Sequence, residues 1–263
     1  MVLNAIRETV PPSPHLPPSH PDSPWGLVTA FTVIGLWAVS LVWLLQLDLV
    51  AVPVFWLVPL FFGRVFLHTG LFITAHDAMH GSVYGANRKL NDAVGTLAVG
   101  LYALLPYQKL CTKHWQHHRT PATAEDPDFY MGEHRRWFPW YACFMGNYLK
   151  GRESVPMIVG INGVFYGLMW LGQVPVANLL LFWMGPLVLS SVQLFYFGIF
   201  LPHRRPVTGY TNRHRTMSNN FSPLWSFLSC YHFGYHWEHH EYPYLPWYKL
   251  ALAHAVVSRR RSL

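Results

Sequence analysis

Charged residues are scarce in this chain of 263 residues, at 12% of the total against about 25% in a typical soluble domain. Apolar residues account for 52% and aromatic residues for 16%, so the composition excludes an ordinary soluble protein. Cysteine is scarce too, and Cys111, Cys143 and Cys230 form no CxxC pair. Three isolated cysteines indicate neither a disulfide framework nor a zinc site, and we expect them to be reduced packing residues.

The first 24 residues lack the apolar core of a secretory signal, since they hold seven prolines and a single arginine, Arg7. Such a composition buries too little apolar surface to fold. We therefore predict a disordered, proline-rich tail over residues 1–24 and a single membrane domain over residues 25–263.

Apolar runs that are long enough to cross a bilayer, which takes about 20 helical residues, dominate the rest of the chain. Four of them form two pairs with only a short turn inside each pair, and these are residues 25–47, 49–72, 155–171 and 176–201. The sequence therefore predicts an all-α integral membrane fold with four transmembrane helices in two hairpins. Two shorter apolar runs, 93–107 and 221–233, are predicted to be interfacial or re-entrant helices.

The distribution of arginine and lysine predicts the orientation in the membrane, because cytoplasmic loops accumulate these residues. Of the 19, Arg7 precedes the first run, nine lie between residues 88 and 152, eight lie between residues 204 and 261, and Arg64 lies within the second run. The two hairpin turns hold none. We therefore expect both termini and the long central segment to face the cytoplasm. There the basic residues are expected to contact lipid headgroups, and we expect no nucleic-acid partner.

Histidine is abundant, with 16 residues, and half of them fall into three short boxes. The first box has HxxxH spacing, which places two imidazoles on one face of a helix, and the other two boxes have HxxHH spacing. The boxes comprise His76, His80, His114, His117, His118, His236, His239 and His240. Neutral imidazole binds iron, copper or zinc, and eight imidazoles are too many for one ion, so we infer two metal ions.

Two other interpretations of the histidines are weighed against this one. Haem in a membrane needs single histidines on facing spans, whereas these are clustered outside the spans, so haem is disfavoured. An isolated histidine is usually a polar surface residue. That interpretation applies to His15, His20, His134, His214 and His254.

The three boxes, with hydrophobic hairpins between them, resemble those of the membrane fatty acid desaturase and hydroxylase superfamily of non-haem di-iron enzymes. Within it, the chain is similar to the bacterial and cyanobacterial beta-carotene ketolases over about residues 61–250. The motifs that carry the similarity are FITAHDAMHG at 72–81, LNDA at 90–93, HHR at 117–119, PAT at 121–123, DPDF at 126–129, FG at 197–198, LPHR at 201–204 and YHFGYHWEHHEYP at 231–243.

The resemblance implies a desaturase-like catalytic domain whose cytoplasmic, histidine-rich cap holds two iron ions and uses O2 as co-substrate. It also implies a ninth ligand, because superfamily members usually carry another histidine well before the last box. His203 lies 33 residues before His236 and fits that position. From the residues alone, His203 could equally be a cation at the end of a helix.

Acidic side chains near the boxes are candidates to accept the second N–H of a bound imidazole, which fixes the tautomer of the ligand. Asp77, Asp126 and Glu238 are predicted to act in the catalytic centre in this way. Further candidates to support the ligands by hydrogen bonds are Asp128, Glu241 and His232. Solvated loop charge or a helix cap is the alternative for the aspartates and for Glu238, and His232 could also be a ligand or a packing residue.

By resemblance, the substrate is beta-carotene from the bilayer and the reaction is oxidation of C4 of its β-ionone ring. Two successive hydroxylations followed by loss of water would give the ketones echinenone and canthaxanthin. The sequence itself offers an aromatic path that suits a long apolar polyene or an acyl chain equally well, and His68 either lines a cavity there or packs. The aromatic candidates are Phe61, Phe62, Phe66, Phe72, Tyr102, Phe195, Tyr196 and Phe197.

The chain has no GxGxxG nucleotide-binding fingerprint, so electrons must come from a separate donor such as ferredoxin with its reductase. We expect the protein in the inner or plasma membrane of a bacterium or cyanobacterium. The alternatives within the enzyme class are a carotenoid 3-hydroxylase and a fatty-acyl desaturase with the same di-iron core. The alternative outside it is a non-catalytic membrane carrier of metal or haem.

Overall fold

The computed structural model describes residues 23–133 and 136–261. All regular structure in these ranges is helical, which confirms the all-α expectation. The predicted tail lies outside the described residues except for positions 23 and 24, and His15, His20 and His134 lie outside them as well.

The described helices follow one another along the chain, and the longest connection between described residues is 204–222. They are α1 (Trp25–Leu45), α2 (Val54–Met79), α3 (Arg88–Ala103), α4 (Tyr107–Arg119), α5 (Trp137–Leu149), α6 (Val155–Trp170), α7 (Val176–His203), α8 (Pro223–Cys230), α9 (His236–Glu241) and α10 (Leu250–Arg261). Two of the connections contain single 3-10 turns, Arg152–Ser154 and Trp247–Lys249.

Three helices, α1, α2 and α7, are long and apolar enough to cross a membrane. The fourth expected span corresponds to α6, which is apolar but has 16 residues. At 1.5 Å per residue it measures about 24 Å, less than the roughly 30 Å of a hydrocarbon core. Of the two shorter apolar runs, 93–107 falls on α3 and the start of α4, and 221–233 contains α8.

The second span differs from its expected bounds. The sequence predicts residues 49–72, whereas α2 begins after Pro53, whose ring fixes the entry angle, and continues to Met79. It stops at His80 because Gly81 adopts a positive φ of 74°, the left-handed conformation that commonly ends a helix. The first histidine box therefore forms the last turn of the span and its cap.

The end of α2 is held by α3 and α4. Asn91 donates to the carbonyl of Ala78 at 2.7 Å, and the indole of Trp115 donates to the carbonyl of Met79 at 3.2 Å. Both bonds satisfy carbonyls that a helix end leaves without an internal partner. A Cβ on Gly95 would come within 2.7 Å of the Ala78 Cβ, so α3 lies close to α2 and brings α4 beside the first box.

A buried arginine ties the spans together. The Arg64 guanidinium donates to the carbonyl of Trp37 and the hydroxyl of Ser40, each at 2.7 Å, and to the carbonyl of Phe182 at 3.1 Å. The Phe182 carbonyl is available because the residue four positions later is Pro186, which has no N–H to donate. It lies in a π turn of α7, Leu180–Met184. Arg64 therefore joins α1, α2 and α7 instead of reaching to the membrane surface.

His68 was left open between lining a cavity and packing, and the structure supports packing. Its Nδ1 accepts from the indole N–H of Trp37 at 3.0 Å, and its Nε2 donates to the carbonyl of Tyr102 at 3.0 Å. Both ring nitrogens are occupied, and the side chain is fully buried between α1, α2 and α3.

The three cysteines are free, as expected from the sequence. Cys230 is buried, and Cys111 and Cys143 are half-buried.

Candidate metal centre

Eight of the nine histidines predicted as ligands converge in two clusters. In each cluster, one nitrogen from every imidazole lies within 4.8 Å of the others. The first cluster is His76, His80, His114 and His239, and the second cluster is His117, His203, His236 and His240. The ninth histidine, His118, lies between them: its Nε2 is 2.9 Å from the Nε2 of His239, and its ring stacks on that of His240 with centroids 4.1 Å apart.

Each HxxHH box serves both clusters. On α4, His114 faces the first cluster and His117 the second, because positions three residues apart on a helix differ by about 60° around its axis. On α9, His239 faces the first cluster, whereas His236 and His240, one turn apart, face the second. The first cluster is completed by the last turn of α2 and the second by the C-terminal end of α7.

Burial favours the neutral form of six imidazoles outside the spans. Burial lowers the pKa of His80, His114, His118, His236, His239 and His240 well below the ordinary histidine value, and the neighbouring imidazoles lower it further. A neutral ring has a lone pair to offer a metal ion. The sets of four imidazoles therefore fit a first-row transition metal such as iron, copper or zinc.

An unpartnered nitrogen of His203 marks where the lone pair of this ligand candidate points. His203 donates from Nδ1 to the carbonyl of Arg215 at 3.2 Å, which fixes its lone pair on Nε2. That Nε2 is buried and has no hydrogen-bond partner among the described residues. A buried polar atom without a partner is costly, and a metal ion in the second cluster would remove the cost. The structure thus offers a ligand position at the residue that only the resemblance had suggested.

Asp126 is hydrogen-bonded to the side chain of His117. Its carboxylate accepts from the Nδ1 of His117 at 2.9 Å, and also from the backbone N–H groups of Ala122 at 2.8 Å and Asp128 at 2.9 Å. The bond leaves the Nε2 of His117 facing the second cluster, 3.1 Å from the Nε2 of His240. Burial lowers the pKa of His117, but the charge and the hydrogen bond of Asp126, together with the charge of Asp128, outweigh burial and raise it overall, as expected for a more basic ligand.

Two further aspartates lie beside ligand candidates. Asp128 lies 3.9 Å from the Nδ1 of His117 and accepts from the hydroxyl of Tyr148 at 2.6 Å. Burial raises the pKa of Asp128 to about 6. Asp77 lies 3.6 Å from the Nδ1 of His76 and accepts from the backbone N–H of Trp247 at 3.0 Å.

The two glutamates contact histidines that the sequence had not singled out. Glu238 accepts from the Nδ1 of His254 at 2.8 Å and from the hydroxyl of Ser218. Glu241 pairs with His214 at 2.7 Å and with Arg213 at 2.9 Å, and the ring of His214 lies 5.6 Å from that of His240.

The expectation that His214 and His254 are plain surface residues is therefore wrong. No spacing signal could have found them, because their partners lie 27 and 16 residues away in the chain.

His232 does not support a ligand candidate by a hydrogen bond, the role that we expected from the sequence. It adopts a positive φ of 61° in the turn after α8, and its ring stacks on Tyr235 with centroids 5.7 Å apart. Its Nδ1 has no hydrogen-bond partner among the described residues. The contacts of His232 are those of a packing residue, one of the alternatives considered above.

A cavity of about 310 Å³ runs from both clusters into the apolar part of the molecule. One end is formed by His76, His114, His117 and His236, and the walls are mostly apolar side chains of α5, α6 and α7. Of the aromatic path expected from the sequence, Phe72 and Tyr102 line this cavity. Phe195 is fully buried against Trp140, and Phe62 is exposed on the outer face. The cavity suits one apolar end of a small-molecule substrate.

Comparison with known proteins places this chain in a family. A model of the fatty acid desaturase family matches residues 54–261. A zeaxanthin 4-ketolase from Chlamydomonas reinhardtii is 41% identical over 86% of this chain and 52% of its own length. A beta-carotene 4-ketolase from Protosiphon botryoides is 38% identical over 91% of this chain and 66% of its own.

A beta-carotene ketolase from a Paracoccus species is 38% identical over 90% of this chain and 96% of its own length. The chain therefore spans about half to two thirds of the first two relatives and nearly all of the third. No solved structure matches it.

Proposed function

The chain belongs to the fatty acid desaturase family, and from that premise we propose that it is a membrane oxygenase that converts the C4 methylene of the β-ionone ring of beta-carotene to a ketone. The observation that carries the proposal is the apolar cavity that ends at both histidine clusters. The names of the similar ketolases support the choice of substrate and ring position.

The proposed cofactor is a pair of non-haem iron ions, one in each cluster, with His118 between them. Bound iron would supply the activation of O2 that attack on an unactivated C–H bond requires. The proposed ligands are the nine histidines His76, His80, His114, His117, His118, His203, His236, His239 and His240.

The acidic side chains have separate proposed roles. Asp126 fixes the tautomer of His117 through its hydrogen bond to Nδ1, and Asp77 is proposed to act on His76 through its charge, 3.6 Å from Nδ1. Glu238 braces α9 against α10 through His254, and Glu241 holds His214 against the ring of His240. In this proposal, Asp128 contributes by placing Tyr148 beside the cavity.

The reaction is proposed to proceed by two hydroxylations of one carbon. Each converts a C–H bond to C–OH and consumes one O2, two electrons and two protons, with release of one water. The resulting geminal diol loses water to leave the ketone, so one ring gives echinenone and two rings give canthaxanthin. The apolar walls keep bulk water away from the ring during these steps.

The cavity volume also limits how the substrate is held. About 310 Å³ is at the low end of the range for small-molecule sites, so it accommodates one ring and the start of the polyene. The rest of the substrate would lie in the bilayer, and each end would enter in turn.

In the proposed topology, α6 pairs with α7 as the second of two hairpins, and its short length is met by local thinning of the bilayer. Both termini and the metal centre face the cytoplasm of a bacterium or cyanobacterium, since the hairpin turns hold no arginine or lysine. The basic cytoplasmic face then offers a docking surface for an acidic electron donor, for which we propose ferredoxin with its reductase.

Expression in cells that accumulate beta-carotene tests the proposal. We expect ketone products with red-shifted absorption, identified by chromatography and mass spectrometry. Zeaxanthin as the product would instead identify a 3-hydroxylase, and new double bonds in the acyl lipids would identify a desaturase. A strong Soret band in the purified protein, or a lack of O2-dependent turnover, would contradict an oxygenase and favour a carrier.

A further inference from the structure

The hydroxyl-bearing side chains on the cavity wall are all hydrogen-bonded. The hydroxyl of Tyr148 is bound to Asp128 at 2.6 Å, and that of Tyr102 to Ser190 at 3.3 Å. A third pair joins the hydroxyls of Tyr141 on α5 and Ser191 on α7 at 2.6 Å. Tyr141 and Ser191 both line the cavity and are half-buried.

The metal centre and the fold account for two of these pairs. Tyr148 fixes a carboxylate beside His117, and the backbone of Tyr102 accepts from His68 while its hydroxyl meets a fully buried serine. The pair of Tyr141 and Ser191 contacts no charged group and no ligand candidate among the described hydrogen bonds. The two hydroxyl groups form no hydrogen bond with a hydrocarbon substrate. A phenylalanine in place of Tyr141 and an alanine in place of Ser191 would contact such a substrate equally well.

The direction of the hydrogen bonds leaves one acceptor free. The hydroxyl of Ser191 donates to the carbonyl of Val188 at 2.7 Å, so its single proton is used. In the short hydrogen bond between the two hydroxyls, Tyr141 is therefore the donor and the oxygen of Ser191 is the acceptor. A hydroxyl oxygen has two acceptor positions, and because Tyr141 lines the cavity, a ring substituent could donate a hydrogen bond to its hydroxyl oxygen.

We infer that Tyr141 is a specificity-determining residue, which lets the cavity take β-rings that carry a hydroxyl group on the carbon next to C4 as well as unsubstituted rings. The inference rests on the proposed ketolase function and concerns which rings that site accepts. A ring hydroxyl that enters an apolar cavity loses its hydrogen bonds to water, and Tyr141 replaces one of them. A site that hydrogen-bonds a substrate hydroxyl discriminates through that bond.

A competition experiment with two pigments tests the inference. Purified protein in detergent micelles is offered equal amounts of zeaxanthin and beta-carotene, and the bound pigments are extracted and quantified by chromatography, which needs no turnover. The same two pigments are then supplied to a reaction with O2 and an electron donor, and the ketone products of each are measured. The variants are Tyr141→Phe, Ser191→Ala and, as a matched control, Tyr166→Phe. Tyr166 lies on α6, 43% exposed and stacked on Trp170, outside the cavity.

Tyr141→Phe is expected to lower the ratio of bound zeaxanthin to bound beta-carotene by about 3- to 10-fold, the worth of one hydrogen bond, and to lower the product ratio likewise. Tyr166→Phe should leave both ratios unchanged, and Ser191→Ala, which keeps the tyrosine hydroxyl, should change them less than Tyr141→Phe does. Equal ratios in wild type and Tyr141→Phe, or an equal loss of both pigments, would overturn the inference. If wild type makes no ketone but the bound ratio still falls in Tyr141→Phe, the ketolase proposal fails and the role of Tyr141 in ring selection stands.

Discussion

Replacing Asp126 by asparagine should separate the protein's affinity for metal from its ability to fold. The carboxylate accepts hydrogen bonds from the Nδ1 of His117 and from the backbone N–H groups of Ala122 and Asp128, spread over its two oxygens. An asparagine keeps only one accepting oxygen, so its NH2 group must face one of the two backbone donors. Losing one buried hydrogen bond in this way costs about 1–3 kcal/mol of stability.

The same substitution is expected to weaken metal binding. Without the negative charge of Asp126, His117 becomes a weaker base and its tautomer is less well fixed, and removal of such a partner typically lowers metal affinity or activity about 10- to 100-fold. The assay is the iron content per chain after equilibration against a graded chelator, measured alongside the thermal unfolding midpoint in detergent.

The matched control is Glu125→Gln, the same change of carboxylate to amide one residue away on an exposed side chain. Glu125→Gln should retain both the iron and the unfolding midpoint of wild type. If Asp126→Asn binds iron as tightly as wild type and unfolds at the same temperature, Asp126 does not support a ligand and our account of the second cluster is wrong.

Three further predictions concern the ligands, the packing and the effect of pH. His239→Ala should abolish ketone formation and lower bound iron, whereas His15→Ala should not, and full activity in His239→Ala would contradict the ligand assignment. Gly95→Val should destabilise the protein by at least about 1–3 kcal/mol in a thermal melt, because even a Cβ at this position would lie 2.4 Å from the Tyr107 ring. The control Gly100→Ala should destabilise it much less, because no atom lies within 4 Å of the new Cβ. Metal-free protein should lose stability progressively as the pH falls below about 6.5, because burial lowers the pKa of the clustered histidines outside the spans and the unfolded chain then binds more protons than the folded one. Melts of chelator-treated protein between pH 8 and pH 5 check the sign, and a flat profile would contradict it.

The helical class and the histidines of the site could be predicted because both produce patterns among residues that are close together in the sequence. Apolar runs and i, i+4 spacing depend on neighbours within a few positions, so α1, α2 and the boxes on α4 and α9 could be recognised. The end of α2 could not, because residues 73–79 are kept helical by burial against α3 and not by lipid.

Pairings between distant segments were also beyond sequence reasoning. His117 and His240 meet across 123 positions, and nothing in either box states which cluster each histidine joins. The resemblance supplied His203, whereas His214 and His254 had neither a spacing pattern nor a motif to mark them. The carboxylates were easier to propose than to assign: Asp126 touches a ligand candidate directly, but Glu238 and Glu241 act on other histidines.

The contacts of Arg64 bear on the order in which the protein is assembled during synthesis. An arginine at the centre of a membrane helix raises the cost of insertion by about 2.5–3.5 kcal/mol. Two of its hydrogen-bond partners, in Trp37 and Ser40, are made just before it in the chain, whereas the third, in Phe182, is made 118 residues later. The helices α1 and α2 can therefore enter the bilayer as a pair that already shelters most of the charge, and docking of α7 onto the guanidinium closes the bundle only once α7 has been made.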